Sequence, residues 1–366
     1  METIAWITPY YFIETDIYII PLLTTHYRIE WYIYVTNNEQ LPYKEDIEKL
    51  SSHNNLTIHV ERIHGRQRSL SVLRGLSRML REVKRLSPRL VYTCMSGFPY
   101  LTPLVRHFLG TRSTVIAAHN VTTPQGASSY QIAQLYTSYT LSTFRYFQTF
   151  SKNQYNLLKK LYPDKETFYA PFILKDYGKS HTTPGKLITF LSFGYIRDYK
   201  RIDVLINAAE KVYTETQIPF KVCIAGKCND WEKYQQLIKH PELFDLQIRS
   251  IPNEEVADLF GRCHYFVTPY QDIAQSGSLI VGINYEKPVI ASDLEAFKEY
   301  IQDNKTGFLM QPASVDDLAR IMKNILLHHD SLYPTLCNNV REMKETEFAP
   351  ETIAQRYIAF FNHVMQ

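Results

Sequence analysis

The chain has five cysteines in 366 residues, and no two of them form a C-x-x-C pair. The odd set Cys94, Cys223, Cys228, Cys263 and Cys337 argues against a disulfide framework and fits a reducing compartment. No stretch of about 18 apolar residues free of charge occurs, so no spanning helix is expected. The first residues, METIAWITPYYFIETD, lack the basic-then-apolar order of a signal peptide and read as a first strand. The expected location is cytoplasmic, with any membrane association peripheral on the inner face. The formal net charge is only +3, which leaves no footprint for nucleic acid.

Familiar catalytic signatures are missing too. No G-x-G-x-x-G follows a strand and no G-x-x-x-x-G-K-[ST] occurs, which removes the usual support for a dehydrogenase or a P-loop enzyme. There is no H-E-x-x-H, no Cys/His set suited to zinc, and no G-x-S-x-G elbow. The tetrapeptide SGSL at Ser276 is not such an elbow.

What is present is alternation. Short β-branched and aromatic runs, from TIAWITP to TFYAPF in the first half and from LITFLSFG to GFLMQP in the second, are separated by amphipathic stretches such as KRIDVLINAAEKV. Near-continuous apolar strands between helices predict parallel sheets covered on both faces, so the fold class is α/β. One polar interruption, ILKDYGKSHTTPGK, divides the pattern. The expected organisation is a Rossmann-like domain over 1–175, a linker over 176–186, a second such domain over 187–346, and a C-terminal helix over 347–366. That helix opens with a proline in its first turn and is expected to return to the first domain. Two such domains leave a cleft into which both direct the loops beyond their strands' carboxyl ends.

The stretch SFGYIRDYKR runs from a strand through Gly194 to Arg197, Lys200 and Arg201 at the mouth of a helix. Cations at a helix N-terminus oppose the dipole by roughly 0.3–1 kcal/mol. They make sense if an anion sits among them, where free amides already favour one, and a diphosphate would satisfy both. A solvated basic turn is the plainer alternative. A second stretch, TPYQDIAQSGS, ends a strand and opens a helix, with Gln275, Ser276, Gly277 and Ser278 offering caps and bare amides. Ordinary capping accounts for one serine but not for the cluster.

In order and spacing, FGYIRDYKR, PYQDIAQSG, EKPVIASD and NKTGFLMQPASVDDLA resemble the retaining, nucleotide-sugar-dependent glycosyltransferases of the GT-B fold, family 4. The resemblance covers roughly Leu187 to Leu327. The first half matches in outline only, through VIAAHNVTTPQG. The resemblance implies a transferase that moves a sugar from a nucleotide diphosphate to a lipid-linked or polysaccharide acceptor, as in bacterial surface polysaccharide or glycolipid synthesis. It implies Lys200 as partner of the donor diphosphate, and Gln275, Ser276 and Gly277 as contacts to donor sugar and phosphate. It also implies His119 as the sugar-facing histidine of the first half, and Ser250 and Ile251 at the base pocket. No cofactor and no metal is expected, since cations and amides can carry the diphosphate charge. The chain departs from the family where Tyr195 replaces an arginine, with Arg197 the candidate to carry that charge. It departs again at Val281, which replaces a glutamate, and at Gln125, which replaces a histidine. These departures keep two alternatives open: a catalytically silent scaffold that binds a partner or glycan, and a sugar-nucleotide epimerase.

The stretch from Arg62 to Leu90 carries nine Arg/Lys against the acidic Glu82. Its apolar residues Val72, Leu73, Leu76, Met79, Leu80, Val83 and Leu86 recur at helical spacing, so the basic face is expected to point outward. A solvated face is one outcome. An anionic membrane surface, attracted through 62–90, or a polyanionic acceptor is the other.

Overall fold

The computed structural model describes residues 1–36, 39–122, 130–273 and 276–366. It forms two compact units, Met1–Ile173 with Phe348–Gln366, and Leu174–Glu347.

Unit 1 is a parallel sheet of strands β1 (Thr3–Pro9), β2 (Arg28–Thr36), β3 (Leu56–Ile63), β4 (Leu90–Cys94), β5 (Thr114–Ala118), β6 (Tyr146–Thr149) and β7 (Glu166–Tyr169). Their spatial order is β3-β2-β1-β4-β5-β6-β7. The helices between them are α1 (Ile13–Leu23), α2 (Lys44–Leu50), α3 (Leu70–Arg85), α4 (Leu101–Leu109), α5 (Tyr130–Thr143) and α6 (Lys152–Leu161). The strand order reverses direction at β1. Right-handed crossovers therefore put α1 and α2 on one face and α3 to α6 on the other. The strand side chains obey the two-residue period. Ile4, Trp6, Trp31 and Ile33 enter the core under α1, while Ala5, Ile7, Tyr32 and Tyr34 enter the core under α3.

Unit 2 repeats the plan with β8 (Thr189–Phe193), β9 (Lys221–Ala225), β10 (Phe244–Gln247), β11 (Tyr265–Thr268), β12 (Val289–Ser292) and β13 (Gly307–Met310), in the order β10-β9-β8-β11-β12-β13. Its helices are α7 (Ile202–Thr216), α8 (Glu232–Gln235), α9 (Asn253–Gly261), α10 (Gly277–Asn284), α11 (Glu295–Lys298) and α12 (Val315–Thr346). Helix α12 kinks at His328, whose backbone leaves the helical region. The last helix, α13 (Pro350–Met365), has its proline in the first turn and belongs to unit 1. There Tyr357 and Phe361 pack on Trp6 and Tyr92, with ring centroids 5.9–6.3 Å apart.

The polar stretch expected as a linker follows a fixed course along unit 2. Ser180 Oγ and the His181 N–H donate to Asp258 Oδ1 at 3.1 and 2.5 Å. Thr182 Oγ1 donates to the Asp258 carbonyl at 2.8 Å, and the Tyr177 N–H to the Tyr285 hydroxyl at 3.0 Å. Its polar composition satisfies protein partners rather than water, so it carries no regular secondary structure and is still tied down.

Candidate active site

The carboxyl edge of the unit 2 sheet is built on two glycines. Strand β8 ends at Phe193, and Gly194 turns the chain with φ +102°, a conformation that side-chain-bearing residues rarely adopt. Its N–H donates to the Ala225 carbonyl at 2.9 Å. A Cβ on Gly226 would lie 2.2 Å from the Gly194 carbonyl oxygen, so the loops after β8 and β9 touch backbone to backbone.

Beyond Gly194 the structure differs from the sequence expectation. Lys200 closes a single 3-10 turn, Asp198–Lys200, and Arg201 adopts a left-handed conformation before α7 begins at Ile202. The two cations are therefore not neighbours on a helix. The left-handed step sends them in different directions.

Lys200 turns inward and is only 7% exposed. Its Nζ donates to the Phe193 carbonyl at a long 3.4 Å and lies 5.3 Å from the centroid of the Tyr270 ring. No carboxylate lies within ion-pairing distance of it among the described residues. Burial pulls its pKa below the usual lysine value, Arg197 adds to that, and Tyr199 works against it. An ammonium held out of water with one weak acceptor is costly unless an anion joins it.

Arg201 turns outward and is committed to Asp203, which it meets through Nε at 3.0 Å and through Nη2 at 2.8 Å. With Asp198, Lys233 and Gln271 it lines a separate cavity of about 380 Å³ whose charges are already paired. Arg197 is exposed, and its guanidinium lies 4.9 Å over the Tyr195 ring. The pair that differs from the family pattern is thus one stacked unit on the rim.

The loop after β11 closes on the same spot. Ser276 caps α10, its Oγ accepting the Leu279 N–H at 3.3 Å. Ser276 Oγ and Ser278 Oγ are 3.1 Å apart, and Ser278 Oγ is 3.0 Å from the Tyr270 hydroxyl. The first-turn N–H groups of Gly277 and Ser278 have no carbonyl partner inside the helix. A Cβ on Gly277 would meet nothing within 4 Å. A Cβ built on Gly194 would lie 3.0 Å from Lys200 Nζ and 4.0 Å from Ser278 Cβ, so turn, lysine and helix start form one group. Gln275 lies outside the described residues.

Tyr270 joins the group unforeseen. Its "PY" reads as a strand end in the sequence, but its part in walling Lys200 and holding Ser278 has no signal there. Burial pushes its hydroxyl up to about 12, so it stays a neutral donor. Ser250 and Ile251 follow β10 on the same sheet edge, two strands from β8, with Ser250 exposed and its carbonyl accepting from Arg249 Nη1 at 3.3 Å. Val281, at a position where the family has an acid, is buried in α10. In unit 1, His119 follows β5 and stacks on Phe150 at 4.2 Å, with Phe12 at 4.4 Å and Phe172 at 5.7 Å. An aromatic wall on three sides fixes the imidazole plane.

Residues 175–343 match the family model described as glycosyl transferases group 1. A poly(ribitol-phosphate) alpha-N-acetylglucosaminyltransferase of Staphylococcus aureus (strain COL) is 26% identical over 201 residues, which cover 52% of this chain and 39% of that protein. The chain thus spans well under half the length of this curated relative. Among solved structures, a glycosyltransferase from Rickettsia africae ESF-5 superposes with a TM-score of 0.74 at 13% identity, covering 100% of this chain and 99% of the other. Anabaena HepE, solved with UDP and glucose, superposes with a TM-score of 0.71 at 13% identity, covering 99% and 100%. At these identities the likeness is one of fold. The two Rossmann-like units have the GT-B fold.

Proposed function

We propose that this chain, whose residues 175–343 match the glycosyl transferases group 1, is a nucleotide-sugar-dependent glycosyltransferase. It moves a sugar from a nucleotide diphosphate, with retention, to a lipid-linked or polysaccharide acceptor. The observation that carries this reading is the buried ammonium of Lys200, without a carboxylate partner among the described residues, beside the open first turn of α10. A diphosphate is the anion of matching size: one phosphate for Lys200 Nζ, one for the amides of Gly277 and Ser278. Charge that builds on the leaving diphosphate during transfer meets fixed donors that need not reorganise. These groups carry the charge without a metal, and no resident cofactor is part of the proposal.

Arg197, stacked on Tyr195, supplies a second cation at the rim. Gln275, Ser276 and Ser278 hold donor sugar and phosphate, and Ser250 and Ile251 flank the base. His119 of unit 1 is assigned to a sugar hydroxyl on the strength of the family resemblance. The poly(ribitol-phosphate) relative, a sugar transferase acting on a phosphate-bearing polymer by its name, supports transfer in envelope polymer or glycolipid synthesis.

The test is a calorimetric and thermal-shift screen of nucleotide sugars. Saturation at 100 times the dissociation constant is expected to add about 2.7 kcal/mol of stability. Donor turnover with an acceptor extract, lost in Lys200→Met, supports transfer. No binding by any nucleotide sugar would overturn the reading, and a changed sugar nucleotide formed without acceptor would make the chain an epimerase.

A further inference from the structure

Helix α3 lays its apolar side, Val72, Leu76, Met79, Leu80 and Val83, into the core of unit 1. Leu73 is half-buried and Leu86, counted with that stripe from its spacing, is exposed at the helix end. The opposite side is a line of arginines. Arg74, Arg78, Arg81 and Arg85 are spaced by four, three and four residues, so they follow one row for about 16 Å. All nine basic residues between Arg62 and Leu90 are exposed. Among the described residues only Arg78 of this set meets a carboxylate, Glu61 at 3.8 Å. Eight of the nine are arginine, whose planar fork suits phosphate.

The same layer of helices exposes apolar side chains. Leu70 continues the arginine row one turn earlier and is 65% exposed. Helix α5 has no charged residue, buries Leu141 in the same core as α3, and leaves Leu135 71% exposed beside exposed Ile132 and Tyr130. The crossover rule puts α3 and α5 on one face of the sheet, and their shared core cluster agrees.

We propose that this face of unit 1 docks on an anionic lipid bilayer, the arginine row of α3 meeting phosphate headgroups and the apolar side chains of α5 entering the interfacial layer. Charge complementarity alone would serve a soluble polyanion equally well. The exposed leucines decide for the bilayer, because a soluble polyanion has nothing to pair with them, whereas an interfacial surface rewards both. The apolar side of α3 is already used in the core, so α3 contributes attraction rather than insertion. No helix among the described residues is long and apolar enough to cross a membrane, and the contact proposed is with the surface. The inference rests on the proposed function only in favouring a lipid-linked acceptor, and its test uses no donor.

The experiment is flotation of the full chain with vesicles of phosphatidylcholine alone or mixed with phosphatidylglycerol, and in parallel with soluble polyphosphate. Binding is expected only to the phosphatidylglycerol vesicles, weakening as salt rises. Each arginine of the row changed to glutamine is expected to lower partitioning about fivefold. Leu135→Ser combined with Ile132→Ser is expected to lower it further without changing the salt dependence. Thermal melts of these variants should match wild type, which reports that they fold without reference to the donor site. Equal flotation with both vesicles, or binding to polyphosphate with no flotation on either vesicle, would overturn the proposal.

Discussion

Lys200 Nζ occupies the space that a side chain on Gly194 would enter: a Cβ there would come within 3.0 Å of it. The glycine that turns the chain after β8 is also what leaves room for the cation six residues later. Backbone conformation and the place of the buried cation are therefore joined at one residue.

Lys200→Met separates stability from binding. The change keeps the side chain's length and removes a buried charge that has no carboxylate partner. The melting temperature is expected to stay or rise. Nucleotide affinity is expected to fall by about 2–3 kcal/mol, roughly 30- to 150-fold in Kd, for the loss of a charge-assisted contact. Calorimetry with nucleoside diphosphate beside a thermal melt reads both.

Gly194→Ala is expected to lose both. A φ of +102° is strained for alanine, at a cost of about 1–3 kcal/mol, and the new methyl displaces Lys200. Denaturant titration and nucleotide binding on the same variant should decline together. A variant with wild-type binding would uncouple the glycine from the anion site.

Ser276→Ala removes the cap of α10. About 1 kcal/mol of stability is expected to go with it. Affinity for the diphosphate should also fall, because the first turn that presents the Gly277 and Ser278 amides is then less firmly held. Ser278→Ala tests the other side: it leaves the cap and breaks the 3.0 Å contact with Tyr270.

The units are expected to respond to pH in opposite senses. In unit 1, Asp16 is buried and accepts from Thr8 Oγ1 at 2.6 Å; burial outweighs that bond and raises its pKa to about 7. The folded state then holds a proton that an unfolded aspartate, near 3.9, has released. Its contribution is full below about pH 4, falls as pH rises toward 7, and changes little beyond. Asp16→Asn should flatten that part of the denaturation profile and leave the chain relatively more stable at pH 8.

In unit 2, His264 accepts the Thr189 N–H on Nδ1 at 3.1 Å. Burial first, then His329 and Lys287, lowers its pKa to about 4. The unfolded imidazole takes up a proton near 6.5 while the folded one refuses it. Stability is therefore expected to fall as pH drops from about 6.5 to 4. His264→Asn, which keeps an acceptor, should remove that slope. The difference from wild type across pH 4 to 8 is the measurement.

The strands were legible because a parallel strand covered on both faces must be apolar along its length. TIAWITP, LITFLSFG and HYFVTPY carry that pattern without reference to any partner. The start of α10 was legible as well, since Ser276 and Gly277 have the chemistry of a helix entrance. The course of residues 176–186 was not legible. A polar Gly/Pro/Ser/Thr stretch has the same composition whether it binds water or, as here, Asp258.

The sequence by itself determined the alternation of strand and helix, the two-unit organisation that follows from it, and the presence of cations after β8, because these depend on local period and residue type. Only the tertiary structure separated Lys200 from Arg201. Adjacent in sequence, they differ in surroundings because Arg201 takes a left-handed backbone step, turning one cation to Asp203 and the other beneath Tyr270. That ring lies just beyond β11, 70 residues later, and long-range burial of this kind, which takes a basic residue out of water, has no local signal.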